Sequence, residues 1–290
     1  MHKFLRAIGF SDITKKDLEM ILDEVITRPE IMKITKDSEG NEFAELSGSF
    51  AANAGITVRG TYQEDDSFHM DYYYPYVFGT SITTNEQIDV EKHAEKESYA
   101  GVCDEVNLGV TLIFYIQNVA DYLAETNWHL SKIHYGAMLA GLSTEGKILC
   151  PVVERKKNDV PAIQKNDRHN QLIAQAREGD EDAIESLTLE DMDTYALLSQ
   201  RVMKEDIFSI VKSTFMPFGI ESDQYTVLGE IIDCVTMENK LTHEKLYGMK
   251  LLCNNIQFDV CINEKDLLGE PAIGRRFRGN VWMQGNLCLE

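Results

Sequence analysis

The stretch that decides the fold is residues 261–290, which read CINEKDLLGEPAIGRRFRGNVWMQGNLCLE. At the two-residue period of a β-strand, its second half has one apolar face and one polar face. The apolar face consists of Phe277, Val281, Met283 and Leu287. The polar face consists of Arg276, Arg278, Asn280, Trp282, Gln284 and Asn286. A large aromatic side chain among arginines and amides, without a nearby carboxylate, makes this strand the best site candidate in the sequence.

Three more strand patterns precede this stretch, at residues 225–236, 245–253 and 256–263. Short antiparallel strands with a longer connection before the last one are typical of a small β-barrel. We therefore predict a C-terminal β-barrel-like domain over residues 222–290, with an OB-like barrel as the closest type. An OB barrel needs a fifth strand, which the long first strand would supply by bending.

The N-terminal part mixes helices with strands in hairpin order. Thr14 and Asp17 form a capping-box pattern that begins a helix, which ends before Pro29. Strand patterns follow at 43–50, 56–62, 67–78 and 107–116, then a helix at 118–125 and a hairpin made of 137–142 and 147–153. These elements predict an α+β fold, in which residues 1–153 form a mixed, mostly antiparallel N-terminal domain.

The composition changes between these two parts. Residues 154–170 are charged and polar without periodicity, which is typical of a linker. Between residues 178 and 193 the chain has eight acidic residues and no basic ones, followed by a helical pattern. We predict a polar linker and an acidic helical connector over residues 154–221. Where the acidic stretch 178–193 lies, and whether it covers the C-terminal arginines, is left open.

Length and charge narrow the classes of function. A chain of 290 residues is long for one hydrophobic core, which favours two domains. Its net charge of −20 argues against binding to duplex nucleic acid or to an anionic membrane surface. The six cysteines form no CxxC pair and mostly lie in apolar runs, as buried free thiols of a reducing compartment do. Without a signal-peptide or transmembrane pattern, we predict a cytoplasmic protein.

Catalytic and metal-binding motifs are not found in the sequence. It has no phosphate-binding loop, no GxSxG elbow and no histidine or cysteine spacing that suits a metal, so no cofactor or metal is predicted. Strand alternation places His69, Asp71 and Tyr73 on one face of an aromatic-rich strand. A carboxylate beside an imidazole and a phenol are the parts of a general acid/base site, so these three are weak catalytic candidates. A packed strand with a hydrogen-bonded histidine is the simpler interpretation.

The polar face of the last strand is the predicted ligand site, formed by Arg276, Arg278, Trp282 and Gln284. Stacking on an indole together with guanidinium contacts suits a base, a nucleotide or another small anionic ligand. The internal alternative is that acidic residues cover the arginines and that Trp282 packs under a helix. Arginine and tryptophan are also frequent hot-spot residues, so a protein partner is a third interpretation.

Four blocks carry a family resemblance. They are MHKFLRAIGFS (1–11), LTLEDMDTYALLSQRV (187–202), FMPFGIESDQYTVLGEI (215–231) and CINEKDLLGEPAIGRRFRGNVWMQG (261–285). In these blocks the chain resembles a family of uncharacterised proteins from anaerobic Gram-positive bacteria, a domain of unknown function. The resemblance covers nearly the whole chain and implies no activity, substrate, cofactor or catalytic residue.

Three classes of function follow from the sequence. The leading interpretation is a non-catalytic cytosolic binding or scaffold protein that acts through protein–protein contacts, including a homo-oligomer. The first alternative is a single-stranded nucleic acid or nucleotide binder that uses the Arg/Trp strand face. The second is an enzyme with a pocket around His69, Asp71 and Tyr73.

Overall fold

The computed structural model describes residues 1–92, 97–127, 134–152 and 211–289, together with residues 175, 180 and 186. Its helices are a 3₁₀ helix (Lys3–Ile8), α1 (Lys15–Thr27), α2 (Val119–Asn127) and a 3₁₀ turn (Glu264–Asp266). The strands before residue 153 are β1 (Ile31–Lys36), β2 (Glu42–Ala51), β3 (Ala54–Tyr62), β4 (Phe68–Val77), β5 (Thr84–Lys92), β6 (Tyr99–Glu105), β7 (Val110–Ile116) and β8 (His134–Leu149). The later strands are β9 (Thr214–Pro217), β10 (Gln224–Glu238), β11 (Lys245–Cys253), β12 (Ile256–Asn263), β13 (Leu267–Leu268) and β14 (Arg276–Leu287). The described chain is mostly sheet with few helices, and most of its strand pairs are antiparallel, as predicted.

Helix α1 begins at the predicted capping box. The backbone N–H of Asp17 donates to the Thr14 hydroxyl at 3.2 Å, and the Thr14 N–H donates to the Asp17 carboxylate at 3.3 Å. The buried side chains of α1 are Leu18, Leu22 and Val25, which lie on one face at helical spacing. This face joins the core that α1 shares with the first sheet.

Strands β1 to β4 form a four-stranded antiparallel sheet in sequence order. Its inner face packs against α1 and the first 3₁₀ helix through side chains such as Leu46, Ile56 and Val58. The same core contains Trp282 of β14 and Leu142 of β8. The four-stranded sheet therefore packs against β8 and β14 of the larger sheet, whose ladder is the longest.

The remaining ten strands form the second sheet, in the order β11-β12-β8-β5-β6-β7-β14-β10-β9, with β13 beside β8. Because β10 also pairs with β11, eight of them close a ring of hydrogen-bonded strands. The ladder between β8 and β14 crosses this ring. It thereby closes a smaller circuit of five strands, β10, β11, β12, β8 and β14, in which β12 and β8 are parallel.

The β8–β14 ladder joins the middle of the chain to its C-terminal part. It runs from the pair Arg276–Leu149 to the pair Leu287–Ala137. Strands from either side of the predicted linker therefore share one sheet. The division into domains at 1–153, 154–221 and 222–290 stays a prediction, and most of the linker and of the acidic stretch 178–193 lies outside the described residues.

The predicted hairpin of 137–142 and 147–153 is wrong, because β8 runs straight through its supposed turn. The ladder with β14 pairs Val281 with Ser143 and Asn280 with Glu145, so Thr144 is one extra residue in β8. This β-bulge absorbs the turn-forming sequence without reversing the chain. Pairing with β14 on one side and with β12 and β13 on the other outweighs the local preference for a turn.

Candidate functional site

Trp282, the aromatic centre of the predicted ligand face, is buried, with 6% of its surface exposed. Its ring stacks on Phe4 of the first 3₁₀ helix, with the ring centroids 5.3 Å apart, and contacts His2 at 4.9 Å. The indole Nε1 donates to Asp223 Oδ2 at 2.7 Å. A helix covers the ring, as the internal alternative proposed, so the indole offers no open face to a base.

Gln284 is also buried and has a structural set of partners. Its Nε2 donates to the Pro75 carbonyl at 2.8 Å, and its Oε1 accepts from Gln117 Nε2 at 2.8 Å. These bonds join β14 to the end of β4 and to the residue that follows β7.

Arg276 is buried at the opposite end of β14. Its Nε donates to the Cys150 carbonyl at 2.9 Å and its Nη1 to the Val211 carbonyl at 2.6 Å. The guanidinium therefore holds together the two points where the described chain leaves β8 and returns towards β9. Burial lowers the pKa of Arg276 below its usual value.

Arg278 is the member of the predicted set that lines a surface groove, which we call the Arg278 groove. The groove has a volume of about 420 Å³. Its lining residues come from β8, β10, β13, β14 and the turn after β9, and are Glu145, Gly146, Lys147, Phe218, Thr226, Leu268, Arg278, Gly279 and Asn280. Ligand binding by the predicted four residues stays a prediction, and the structure places one of them at an accessible surface.

The three weak catalytic candidates do not share a face, so the predicted alternation is wrong. In the ladder with β3, His69 pairs with Thr61 and Tyr73 pairs with Val58. Asp71 is an extra residue in β4 between them, and this bulge reverses the facing of the residues beyond it. His69 and Asp71 are exposed, whereas the Tyr73 hydroxyl accepts from the backbone N–H of His2 at 3.2 Å.

A buried arginine that the sequence reasoning missed organises the contact between the two sheets. Arg59 of β3 is 0% exposed, and its Nε donates to Glu45 Oε1 of β2 at 2.7 Å. The other Arg59 donors contact three tyrosine hydroxyls and two backbone carbonyls, those of Tyr72 (2.9 Å), Tyr115 (2.8 Å), Tyr74 (3.2 Å), Ile116 (3.1 Å) and Gln117 (2.8 Å). We call these residues with Glu45 the Arg59 cluster.

The charges of Arg59 and Glu45 are paired with each other and with the polar groups around them. Glu45 Oε2 accepts from the backbone N–H of Ala120 in the first turn of α2 at 2.9 Å, where a negative charge is favourable. Burial opposes the charge of Arg59, but the tyrosines and Glu45 outweigh it, so the arginine pKa lies well above its usual value. Burial also disfavours the charged form of Tyr115, and so raises its pKa. A charged group so completely partnered fixes geometry and has no donor left for a substrate.

A sequence signal for this cluster existed. Arg59 stands among Ile56, Val58 and other residues of a strand that is otherwise apolar or small, and a buried arginine needs partners. The tyrosine-rich β4 next to it supplies two of them. The third tyrosine and the carbonyls come from the end of β7, which local pattern could not assign.

The described residues contain no group of three or more His, Cys, Asp or Glu side chains placed to hold a metal ion. None of the described helices has the length and apolar character needed to cross a membrane. All six cysteines are free, and Cys103, Cys253 and Cys261 are buried. Burial raises the pKa of these three thiols to about 12.

Comparison with known proteins gives one match. Residues 5–285 match a family described as a domain of unknown function named for an E. rectale gene (DUF3881). No curated protein and no solved structure matches the chain. The match spans nearly the whole sequence and confirms the resemblance carried by its N-terminal and C-terminal blocks. The chain belongs to the DUF3881 family.

Proposed function

We propose that the protein is a non-catalytic binding protein that engages a protein partner through the Arg278 groove. The observation that carries this proposal is a pair of exposed apolar side chains lining the groove, Phe218 (42% exposed) and Leu268 (74% exposed). A contiguous patch of exposed apolar residues with polar residues at its rim marks an interaction surface, whereas exposed apolar residues scattered singly do not.

The apolar surface continues along β9. Met216 of β9 pairs with Thr226, which lines the groove, and Ile220 follows Phe218 by two positions. Both Met216 and Ile220 are exposed. Among the described strands β9 pairs with β10 and ends the strand order of the large sheet, so its outer edge suits an extended segment of a partner.

The polar groups of the groove are held in place before any partner binds. The Thr226 hydroxyl donates to Asn280 Oδ1 at 2.7 Å, and Asn280 Nδ2 donates to Glu145. Arg278 and Lys147 bring two cations to the groove and Glu145 brings one carboxylate, so its lining is net positive in a chain whose net charge is −20. A partner segment with an apolar anchor beside carboxylate or carbonyl oxygens complements this arrangement.

A nucleotide or another small anionic ligand is the second candidate for the same groove. Phe218 gives it an exposed ring beside Arg278, which replaces the buried Trp282 as the stacking surface. The groove volume of about 420 Å³ is within the range of small-molecule sites.

Two finer predictions belong with this proposal. We take the circuit of β8, β10, β11, β12 and β14 as an OB-like barrel, because an OB barrel has five strands and β8 supplies the one that the C-terminal segment lacks. We also place the protein in the cytoplasm, because its cysteines are free and three of them are buried.

The proposal is tested by site-specific photo-crosslinking of the full chain in cells. A benzophenone amino acid replaces Leu268 or, as the control, Ile82, which is 55% exposed and does not line the groove. We expect a discrete adduct from position 268, lost with Arg278→Glu, and no such adduct from position 82. An adduct with a second copy of the chain would identify the partner as a homo-oligomer. Equal adducts from both positions, or an adduct that survives Arg278→Glu, would contradict the proposal.

A titration with AMP separates the second candidate. We expect no saturable binding of the nucleotide. Saturable binding that Phe218→Ala abolishes would favour the nucleotide over a protein partner.

A further inference from the structure

A cavity of about 330 Å³ lies between the four-stranded sheet and the end of the β8–β14 ladder. We call it the Ser47 cavity. Five of its lining residues belong to the buried polar side chains of the molecule, namely Glu45, Ser47, Thr57, Gln117 and Asn118. None of its lining residues lines the Arg278 groove. So many buried polar groups around one space call for an accounting of their hydrogen bonds.

Most of these groups are paired with each other or with the backbone. The hydroxyls of Ser47 and Thr57 share one hydrogen bond of 2.8 Å. Asn118 accepts from the backbone N–H of Leu287 at 2.9 Å and donates to the Leu287 carbonyl at 3.0 Å. Two hydroxyls that share one bond have more unused lone pairs than unused protons, so they offer mainly acceptor positions.

Gln117 has an acceptor without a partner. Its Nε2 donates to the Val77 carbonyl at 2.9 Å and to Gln284 Oε1 at 2.8 Å, which fixes the orientation of the amide. The opposite orientation would place an oxygen against two acceptors. Gln117 Oε1 is therefore the remaining atom, and it is buried and accepts no hydrogen bond within the described chain. This oxygen has almost no accessible surface, so a molecule in the cavity does not reach it, and the acceptors left for a ligand are the hydroxyls of Ser47 and Thr57.

The charges around the cavity cancel in pairs. Glu45 is bound by Arg59, and Lys33 is bound by Asp121 at 2.5 Å, with both of the latter side chains about two-fifths exposed. Because both charged pairs are neutralised, the cavity lining has no net charge that would attract an ion. Its apolar walls are formed by residues such as Phe78, Met138 and Leu287.

We propose that the Ser47 cavity binds a small uncharged molecule that carries an N–H or O–H donor at one end and an apolar ring or chain at the other. The donor end meets the hydroxyl acceptors of Ser47 and Thr57, and the apolar end lies against Phe78 and Met138. The volume equals that of roughly eleven waters, which sets the size at about ten non-hydrogen atoms. This site is independent of the partner surface at the Arg278 groove.

The test uses three probes with one carbon skeleton, 2-phenylacetamide, 2-phenylacetate and 2-phenylethylamine. Binding to the full chain is measured by ligand-observed NMR, and shifts of the Gln117 side-chain amide and the Leu287 backbone amide are followed in ¹⁵N spectra. We expect saturable binding of the neutral amide, with both charged probes at least about tenfold weaker, since a charge must be desolvated in a neutral site.

Two variants locate the binding. Ser47→Ala removes an acceptor without adding side-chain volume. We expect it to weaken the binding of 2-phenylacetamide at least about threefold, because the loss of one neutral hydrogen bond has a modest effect. Met138→Phe fills part of the cavity and should abolish binding, whereas Lys147→Ala in the Arg278 groove should leave it unchanged. If Met138→Phe does not fold, Ser47→Ala and the amide shifts decide the matter. No saturable binding of the neutral amide, equal binding of the three probes, or unchanged binding in Ser47→Ala would overturn the proposal.

Discussion

The Arg59 cluster and the Arg278 groove both combine an arginine of a β-strand with aromatic side chains, but they use it in opposite ways. Arg59 is 0% exposed, and its donors meet a carboxylate, three phenols and two carbonyls. Arg278 lines a surface groove that the exposed Phe218 also lines. The first arginine holds two sheets together, and the second is placed where another molecule can reach it.

The difference teaches how burial decides the role of a charge. A buried guanidinium costs desolvation energy that only a full set of partners offsets, so its neighbours are committed to it. A charge at a surface is screened by solvent and contributes little to stability, so a change of its partners costs little free energy. The clustered arginines of β14 are conspicuous in the sequence, whereas the arginine that matters most for the fold stands alone in β3.

The largest expected effect comes from Arg59→Leu. The substitution leaves Glu45 buried beside the start of α2 without its cation, which typically costs about 3–5 kcal/mol. Denaturant unfolding should show this loss in the free energy of unfolding. The matched control is Arg278→Leu at the surface groove, for which we expect a loss of at most about 1 kcal/mol.

A second variant sharpens this test. Glu45→Met combined with Arg59→Leu strands no charge, so the double variant should be more stable than Arg59→Leu alone. Equal losses for Arg59→Leu and Arg278→Leu would break the comparison between the two regions.

The next effect is that of Trp282→Ala. The indole is 6% exposed and packs on Phe4, so its removal opens a cavity in the core below the first 3₁₀ helix. We expect a loss of about 3 kcal/mol, the lower end of the range for buried aromatics, because a short terminal helix can relax into the space. Thermal and denaturant unfolding measure it. A stable Trp282→Ala protein would mean that the ring is not a core residue and would return Trp282 to the ligand face.

Much of the fold could be predicted from local pattern. The bounds of β12 follow from its clean alternation, those of β11 from its strand pattern, and α1 begins at the capping box of Thr14. The edge strand β1 was missed because Ile31, Met32 and Ile34 are exposed on both of its faces, so it has no alternation to detect. The continuous β8 was missed because its bulge at Thr144 depends on β14, which lies more than a hundred residues further along the chain.

The candidate site divides in the same way. Period two correctly places Arg276, Trp282 and Gln284 on one side of β14, since the extra residue in its ladder with β8 is Thr144 of β8 and β14 itself has none. What covers that side comes from distant elements, namely Phe4 of the first helix and the carbonyl of Pro75 in β4. A single sequence gives the facing of a side chain along its own strand, but not which remote segment packs over it.

A smaller effect depends on pH. Burial, together with the nearby charges of Lys3 and the N-terminal amine, lowers the pKa of His2 to about 4 in the folded chain. The unfolded chain has a normal histidine pKa of about 6.5. Between pH 6.5 and pH 4 the unfolded chain therefore binds more protons than the folded chain, and falling pH destabilises the folded state. The contribution is present above pH 6.5 and is lost towards pH 4.

His2→Phe removes this titration and keeps a ring against Trp282. We expect the free energy of unfolding of the wild type to fall more steeply with acid than that of the variant, by less than the Trp282→Ala effect. The carboxylates titrate in both proteins, so the difference between the two curves isolates His2. Parallel curves would show that His2 keeps its ordinary pKa.

The smallest effect concerns the cysteines and should leave stability unchanged. Cys150 is exposed at the end of β8, whereas Cys103, Cys253 and Cys261 are buried with pKa values raised to about 12. Burial also raises the pKa of Cys234 and Cys288. Because the thiolate is the reactive form, a thiol reagent at neutral pH should modify one cysteine quickly in the native protein and all six only in denaturant.

Cys150→Ser should remove the fast reaction and change the free energy of unfolding by less than about 0.5 kcal/mol. A fast thiol that persists in Cys150→Ser would place the accessible cysteine elsewhere, and fast reaction of the buried Cys103, Cys253 and Cys261 would mean that the core opens in solution.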